Sequence, residues 1–366
     1  MKHIVVIADP FEKQKAGIHR YTVGMINAIA DYCPDIKISA IVVYETFPNK
    51  KVNTIKVPHF ISLLKNDPVR KLFSIPSIIN RLKPDVVIEP AHFGPVRIKK
   101  GIKRVTIIHD LVPVIKPQYS RFASSVLQRV FLPGILKNTD VIVTNSEFTK
   151  KSVINRYPFS LSKVHVAYPG IGQTERIENW DNKLISGVMP GKYFLHVGTI
   201  EPRKNIYLVL DAFELVKKMT GDNSLKLILA GETGWINKGF IRRLKQHPYH
   251  DSIILTGFIP DRAIKMLYAH ALALVFPSFY EGFGFPIAEA MMNRCPVICS
   301  DIEVFHEVSG EHAFFCDPYS KEQLAEMMLK VFTKDFQPFV TENAYNNIQK
   351  FTWENYARRL SEILMH

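Results

Sequence analysis

Short runs of continuous apolar, often β-branched residues alternate along the chain with longer stretches whose apolar positions recur every three or four residues. In the first half the runs fall at 4–8, 38–44, 85–88, 104–108, 141–144 and 164–167, and helical spacing occupies 18–31, 70–82, 121–137 and 146–156. In the second half the runs fall at 193–197, 225–230, 253–255, 272–276, 297–299 and 313–315, with helical spacing at 205–218, 261–269, 286–292 and 321–333. Strands that are apolar throughout are buried on both faces, so the pattern predicts parallel sheets covered by helices on each side. The fold class is α/β, with two Rossmann-like doubly wound domains. The polar stretch from Gly172 to about Pro190 separates them, giving domains at 1–172 and 173–351. Two such domains predict a ligand in a cleft at the carboxyl ends of the strands.

Composition leaves that picture intact and adds a charge asymmetry. The 366 residues are 47% hydrophobic and 22% charged, which excludes a disordered or fibrous chain. No apolar run reaches the ~20 residues that cross a bilayer. The start, Met1-Lys2-His3 and then 4–8, is too briefly apolar for a signal peptide and reads as a first strand. Four cysteines without metal-ligand spacing fit a reducing, cytoplasmic compartment. The net charge of +13 is uneven: residues 1–174 carry 26 Lys+Arg and 11 Asp+Glu, whereas 175–366 carry 21 and 23. An anionic partner for the first half is expected: nucleic acid, a membrane surface or a phosphorylated substrate. The densest cluster is Arg97, Lys99, Lys100, Lys103 and Arg104, supplemented by Lys13, Lys15, Arg70, Lys71, Arg81 and Lys83. The basic stretch 121–137 has apolar Phe122, Val126, Val130, Phe131 and Leu136, which suits either core packing or a membrane surface.

Four segments carry candidate chemistry. In Phe276-Pro-Ser-Phe-Tyr-Glu281-Gly-Phe283-Gly284-Phe285-Pro-Ile-Ala-Glu289, a buried strand ends, a glycine-bearing loop follows, and a helix opens near Pro286. Free helix-start N–H groups suit a diphosphate, and two carboxylates suit sugar and ribose hydroxyls. In Gly198-Thr-Ile-Glu-Pro-Arg203-Lys204-Asn205, adjacent cations could neutralise a diphosphate leaving group. His109 follows the fourth strand of the first half beside Asp110, where a hydrogen-bonded structural role and a ligand contact are both open. Gly17 opens the first helix, without the G-x-G-x-x-G of a nicotinamide or flavin site. Leu229-Ala-Gly231-Glu-Thr-Gly-Trp235 and Leu255-Thr-Gly-Phe258-Ile259-Pro260 are further strand-to-helix turns.

Glu281 and Glu289, seven residues apart in E-G-F-G-F-P-x-x-E, resemble the E-x7-E motif of the retaining glycosyltransferases of family 4, and the likeness covers nearly the whole chain. It implies the GT-B fold, with Glu281 at the donor sugar and Glu289 at the nucleotide ribose. Arg203 and Lys204 are then at the donor diphosphate, and His109 faces the sugar from the first domain. Gly17, Gly198, Gly231 and the loop residues Phe283, Gly284 and Phe285 fall near phosphate or sugar, and Phe258 and Ile259 near the base. A final helix over 352–364 would cross back to the first domain. The implied reaction is hexose transfer from a nucleotide sugar to an acceptor hydroxyl, with retention at the anomeric carbon. No D-x-D, H-E-x-x-H or P-loop is present, so neither metal nor cofactor is expected. The likeness is strongest to bacterial polysaccharide mannosyltransferases, which points to GDP-mannose and a glycan or polyprenyl-diphosphate-linked acceptor, with an anionic membrane surface as further partner and no nucleic acid. Another GT-B enzyme, such as an epimerase or phosphorylase, and a non-enzymatic binder are the alternatives.

Overall fold

The computed structural model describes residues 1–9, 17–57, 70–172, 179, 181, 187–234, 238–335 and 339–365. Lys13, Lys15, Trp235 and most of the expected linker lie outside them, as do the side chains of Arg70 and Lys71. The chain divides into two compact units, Met1–Gly172 with Phe351–His366, and Gln173–Lys350.

The first unit holds a seven-stranded parallel sheet: β1 (Lys2–Ile7), β2 (Ile36–Val42), β3 (Asn53–Lys56), β4 (Val86–Glu89), β5 (Lys103–Ile108), β6 (Val141–Thr144) and β7 (Val164–Val166), in the order β3-β2-β1-β4-β5-β6-β7. Its core gathers Val5, Ile7 and Val87 from the central strands against Ile75, Ile78 and Ile79 of the helix Ile75–Leu82. The second unit holds six parallel strands: β8 (Tyr193–Val197), β9 (Lys226–Ala230), β10 (Ile253–Gly257), β11 (Ala273–Phe276), β12 (Val297–Ser300) and β13 (Phe314–Cys316), in the order β10-β9-β8-β11-β12-β13. Phe194, Phe213, Leu227 and Val275 are fully buried in its core. The doubly wound α/β expectation therefore holds in both units. In each the strand order reverses beside the first strand, between β1 and β4 and between β8 and β11. Those reversals are the switch points where ligands of such sheets bind.

Several elements depart from the periodicity. β3 has no apolar run because it is a partly exposed edge strand, and edges tolerate polar residues. The helix expected over 70–82 is a π-turn at Arg70–Ser74 followed by α-helix from Ile75. Pro76 in the first turn has no N–H to continue the preceding turns. Helices Lys238–Lys245, Glu303–Ser309 and Phe339–Ile348 give no clear sequence signal, being short or rich in Asn and β-branched residues.

The last helix, α12 (Trp353–Met365), packs on the opening helix α1 (Gly17–Tyr32) of the first unit. Thr352 caps it, its Oγ1 accepting from the Asn355 N–H at 3.0 Å. The hydroxyls of Tyr21 and Tyr356 meet at 2.8 Å in a buried site. Trp353 presses on two glycines: a Cβ on Gly24 would lie 2.0 Å from its Cζ2, and one on Gly170 2.3 Å from its backbone N. Lys103 donates to the Leu364 carbonyl at 3.1 Å and Arg104 pairs with Asp140, so two members of the expected basic cluster hold the fold together.

Alanine in place of a mid-helix glycine ordinarily gains ~1 kcal/mol. At Gly24 the collision with a fixed indole outweighs that gain, since overpacking costs ~1–3 kcal/mol. Gly24→Ala is expected to lower urea-unfolding stability by ~1–2 kcal/mol in the parent, and to cost nothing further when made in a Trp353→Leu background. A Gly24→Ala protein as stable as the parent would contradict this packing.

Candidate active site

Four loops lie at the carboxyl edge of the second sheet, after the adjacent strands β10, β9, β8 and β11. The β8 loop makes one 3-10 turn at Pro202–Lys204 and the β11 loop runs to Gly284, the N-cap of the helix Phe285–Met292. These two flank the switch point, and a cluster of charges joins them. Lys204 Nζ lies 2.6 Å from Glu281 Oε1, and Arg203 Nη1 lies 2.5 Å from Glu281 Oε2. Arg203 also holds Glu201 Oε1 at 2.6 Å through Nη2 and donates to the Tyr280 carbonyl at 3.2 Å. The Phe279 N–H returns to the Arg203 carbonyl at 2.9 Å. The Lys204 ammonium stands 4.3 Å over the Phe276 ring, a cation–π contact in a dry site.

Both oxygens of Glu281 are thus engaged by cations, where the sequence alone pictures a carboxylate facing sugar and an unneutralised Arg-Lys pair. The partners stand 77 and 78 positions apart in sequence, and only the adjacency of β8 and β11 brings them together. Burial pushes the Glu281 carboxyl up, but Arg203 and Lys204 overturn that by charge and hydrogen bonds and hold it at about 2. Burial draws the Lys204 ammonium below its usual range, and Glu281 opposes it.

The helix after this loop has less to offer an anion than expected. Pro286 has no N–H, and the Ile287 and Ala288 N–H groups already reach the Gly284 carbonyl at 3.0 and 3.4 Å. Gly284 sits at φ 99°, a conformation glycine adopts without penalty. A helix opening at Pro286, as the sequence predicts, would put Glu289 in its first turn; the helix opens at Phe285, so Glu289 lies in the second, where it accepts from the Tyr268 hydroxyl at 3.0 Å. Phe283 is buried and packs edge-on against the partly exposed Phe285, their centroids 5.3 Å apart.

Gly231 and Gly198 are small for each other. A Cβ on Gly231 would fall 2.1 Å from the Gly198 carbonyl oxygen, so close backbone contact already explains its identity. Gly231 also bridges to Gly257, which draws the turn bearing exposed Phe258 and half-buried Ile259 beside the β9 loop.

His196 has no assigned role in the sequence, yet it is fully buried beneath this cluster. Its Nδ1–H donates to the Val275 carbonyl at 2.9 Å, its ring stacks on Phe276, and its Nε2 is buried without a partner. A histidine inside an otherwise apolar strand, just before a glycine loop, is the signal that could have found it. Ser278 in the β11 loop likewise buries an unpartnered hydroxyl.

In the first unit, His109 directly follows β5. Its Nε2–H donates to the Pro90 carbonyl at 2.7 Å, which leaves Nδ1 as the lone-pair nitrogen. The Tyr21 ring meets it edge-on at 4.6 Å, and its own N–H bonds His92 Nε2 at 2.8 Å. Asp110 Oδ1 accepts from the Val112 N–H at 2.9 Å, a loop-ordering contact. Gly17 begins α1 with open space around it. Burial lowers the pKa of both His109 and His196 to about 4. Among the described residues no group of three His, Cys, Asp or Glu side chains could hold a metal ion, and no helix is long and apolar enough to cross a membrane.

Residues 25–174 match the family model described as glycosyltransferase family 4, and residues 179–350 the one described as glycosyl transferases group 1. The chain belongs to this glycosyltransferase family. The transferase is 28% identical over 272 residues to O-antigen chain mannosyltransferase B of Escherichia coli, a match covering 73% of this chain and 70% of that one. It is 31% identical over 211 residues to O-antigen chain mannosyltransferase RfbU of Salmonella typhimurium, covering 58% and 56%. Against solved structures, it superposes on sucrose-phosphate synthase of Thermosynechococcus elongatus with a TM-score of 0.79 at 16% identity, covering 100% and 98% of the two chains. The TM-score is 0.76 at 15% identity for WaaG, described as a glycosyltransferase involved in lipopolysaccharide biosynthesis, with 99% of each chain covered. These likenesses establish the GT-B fold and a transferase enzyme, and they set aside the non-enzymatic alternative.

Two acid-sensitive elements follow. A buried histidine whose folded pKa lies below its unfolded ~6.5 stabilises the fold fully above that value and loses the contribution as pH falls toward 4, up to ~3 kcal/mol each. Glu281, depressed to about 2, loses its contribution only below the unfolded carboxylate value of ~4.3. Urea stability measured from pH 7 to 5 should therefore fall in the parent and fall less steeply in His196→Phe; equal slopes would contradict burial of a neutral imidazole. Glu281→Gln leaves two buried cations short of a partner and should cost ~3 kcal/mol at pH 7, read by the same unfolding.

Proposed function

We propose that this transferase moves a hexose from a nucleotide sugar to a glycan or polyprenyl-diphosphate-linked acceptor, with retention at the anomeric carbon, and that GDP-mannose is the donor. The observation that carries the reading is the Glu201–Arg203–Lys204–Glu281 cluster at the switch point of the second sheet. Diphosphate oxygens can replace carboxylate oxygens on the same guanidinium and ammonium groups, which then stabilise charge as the sugar departs. No metal is needed for that step. Glu281, displaced from its cations, is free to meet the donor sugar, and Glu289, on the adjacent helix, to meet the ribose. Gly198, Gly231, Phe258, Ile259, Phe283, Gly284 and Phe285 supply the backbone and ring surfaces for the rest of the donor. His109, neutral at pH 7, contributes a hydrogen bond to the sugar and no charge.

The donor assignment draws on relatives named as O-antigen chain mannosyltransferases. A lipid-linked acceptor agrees with the surplus of cations in residues 1–174. A cytoplasmic site, at the membrane's inner face, agrees with four cysteines that are buried and unpaired.

Thermal-shift measurements across GDP-, UDP- and ADP-sugars should show the largest stabilisation with GDP-mannose. NMR of the product should show the donor's anomeric configuration kept. Arg203→Ala should lower kcat by ~10²–10³-fold while the circular dichroism spectrum is unchanged. Full activity in that variant would overturn the role of the cluster, and a larger shift with another nucleotide would reassign the donor.

A further inference from the structure

The helix α3 (Phe122–Asn138) is built inside out. Its buried stripe is Ser125, Gln128, Leu132 and Leu136, and the Ser125 hydroxyl and Gln128 carbonyl oxygen are buried without partners. Its solvent side carries Phe122, Val126 and Val130 at four-residue intervals, with Leu127 and Phe131 beside them. Phe122 is 85% exposed and Val130 64%. A helix serving only to cover the sheet would bury the aromatic and aliphatic residues and expose the serine and glutamine. A contiguous apolar face turned to water marks a surface that something else covers.

The charges around that face indicate its occupant. From Lys116 to Asn138 the chain carries four cations, Lys116, Arg121, Arg129 and Lys137, and no carboxylate. The Lys137 ammonium stands 5.6 Å over the Phe159 ring, which brings exposed Phe159 and Leu161 of the following turn alongside. Lys163 fixes the junction, donating to the Lys137 and Thr139 carbonyls at 2.9 Å each. Apolar side chains framed by cations match the acyl boundary and headgroups of an anionic bilayer. A second copy meeting the same face by two-fold symmetry would bring like charges together. With 17 residues the helix is ~26 Å long, suited to lying in the membrane plane.

We propose that the solvent face of α3 is the surface by which this protein docks on an anionic bilayer. The inference rests on the membrane partner of the proposed function and gives it an address. Phe122, Val126 and Val130 enter the acyl boundary, and Arg121 and Lys137 remain among the headgroups.

The test is flotation of the full chain with vesicles of phosphatidylglycerol and phosphatidylcholine, against vesicles of phosphatidylcholine alone. Binding is expected to the anionic vesicles, to fall at least ~10-fold when salt is raised from ~0.1 to ~1 M, and to fall as much in the triple variant Phe122→Ser, Val126→Ser, Val130→Ser. An Arg121→Glu, Lys137→Glu variant, with the apolar face intact, should also lose binding. The fluorescence of Val126→Trp should shift to the blue on anionic vesicles, a readout that does not depend on a disrupted helix. Binding that ignores lipid charge and salt, no flotation, or a triple variant that floats like the parent would overturn the proposal. So would a lipid-free dimer that the triple variant dissociates, which would assign the face to a second copy. The donor-induced thermal shift of the triple variant separates the two readings. A shift kept while flotation is lost supports docking through α3. A shift absent from the parent as well refutes the donor reading and leaves flotation to judge docking alone.

Discussion

Ionised groups withdrawn from water cost several kcal/mol each, and a single attraction rarely repays that. The second unit meets this cost with four charges that share every partner. Glu281 receives donors on both oxygens, Arg203 divides its fork between Glu281 and Glu201, and Lys204 adds the face of Phe276. None of the four side chains is more than 19% exposed. The geometry of the loops after β8 and β11 depends on this cluster, because the first supplies Glu201, Arg203 and Lys204, the second supplies Glu281, and the Phe279–Arg203 backbone bond fixes their spacing. On the proposed function, donor binding is an exchange of one anion for another on fixed cations. On that reading the site is organised before a diphosphate arrives, which is where electrostatic catalysis gains its advantage.

Much of this was legible from residues alone. Continuous apolar strands such as Val141–Thr144 and Tyr193–Val197 announce parallel sheets because burial on both faces leaves no room for alternation. Glu281, Arg203 and Lys204 are legible as candidates because charged residues at strand ends beside glycines stand out from an otherwise apolar pattern. Their mutual pairing is not, since it is decided by strand order and not by spacing. Gly231 shows a second limit: a glycine that lets a ligand approach and one that lets another backbone approach look the same in sequence, and only the Gly198 carbonyl distinguishes them. His196 was missed because a buried histidine reads as an ordinary strand residue until its orphaned nitrogen is seen beneath the cluster.

The helix over 121–137 shows the converse. Its apolar residues read as core or as surface, because more than one set of them, 122/126/130 and 132/136, keeps helical spacing. Packing decides the matter. Leu132 and Leu136 join Ile108 and Val153 in the core, while the larger Phe122 and Phe131 are left outside. Hydrophobicity alone predicts how much apolar surface a helix carries, and only the sheet beneath it shows which residues are spent on folding.

The return of α12 to the first unit has a consequence for synthesis. Tyr356 bonds Tyr21, and Tyr21 in turn flanks His109, so the returning helix supports a side chain made some 250 positions earlier. The second unit is contiguous, Gln173–Lys350, and can close while the chain is still growing. The first must wait with an unfinished core, its glycines at 24 and 170 holding open the space that Trp353 fills. In order of translation, the unit whose strands come first closes only after the unit inserted into it.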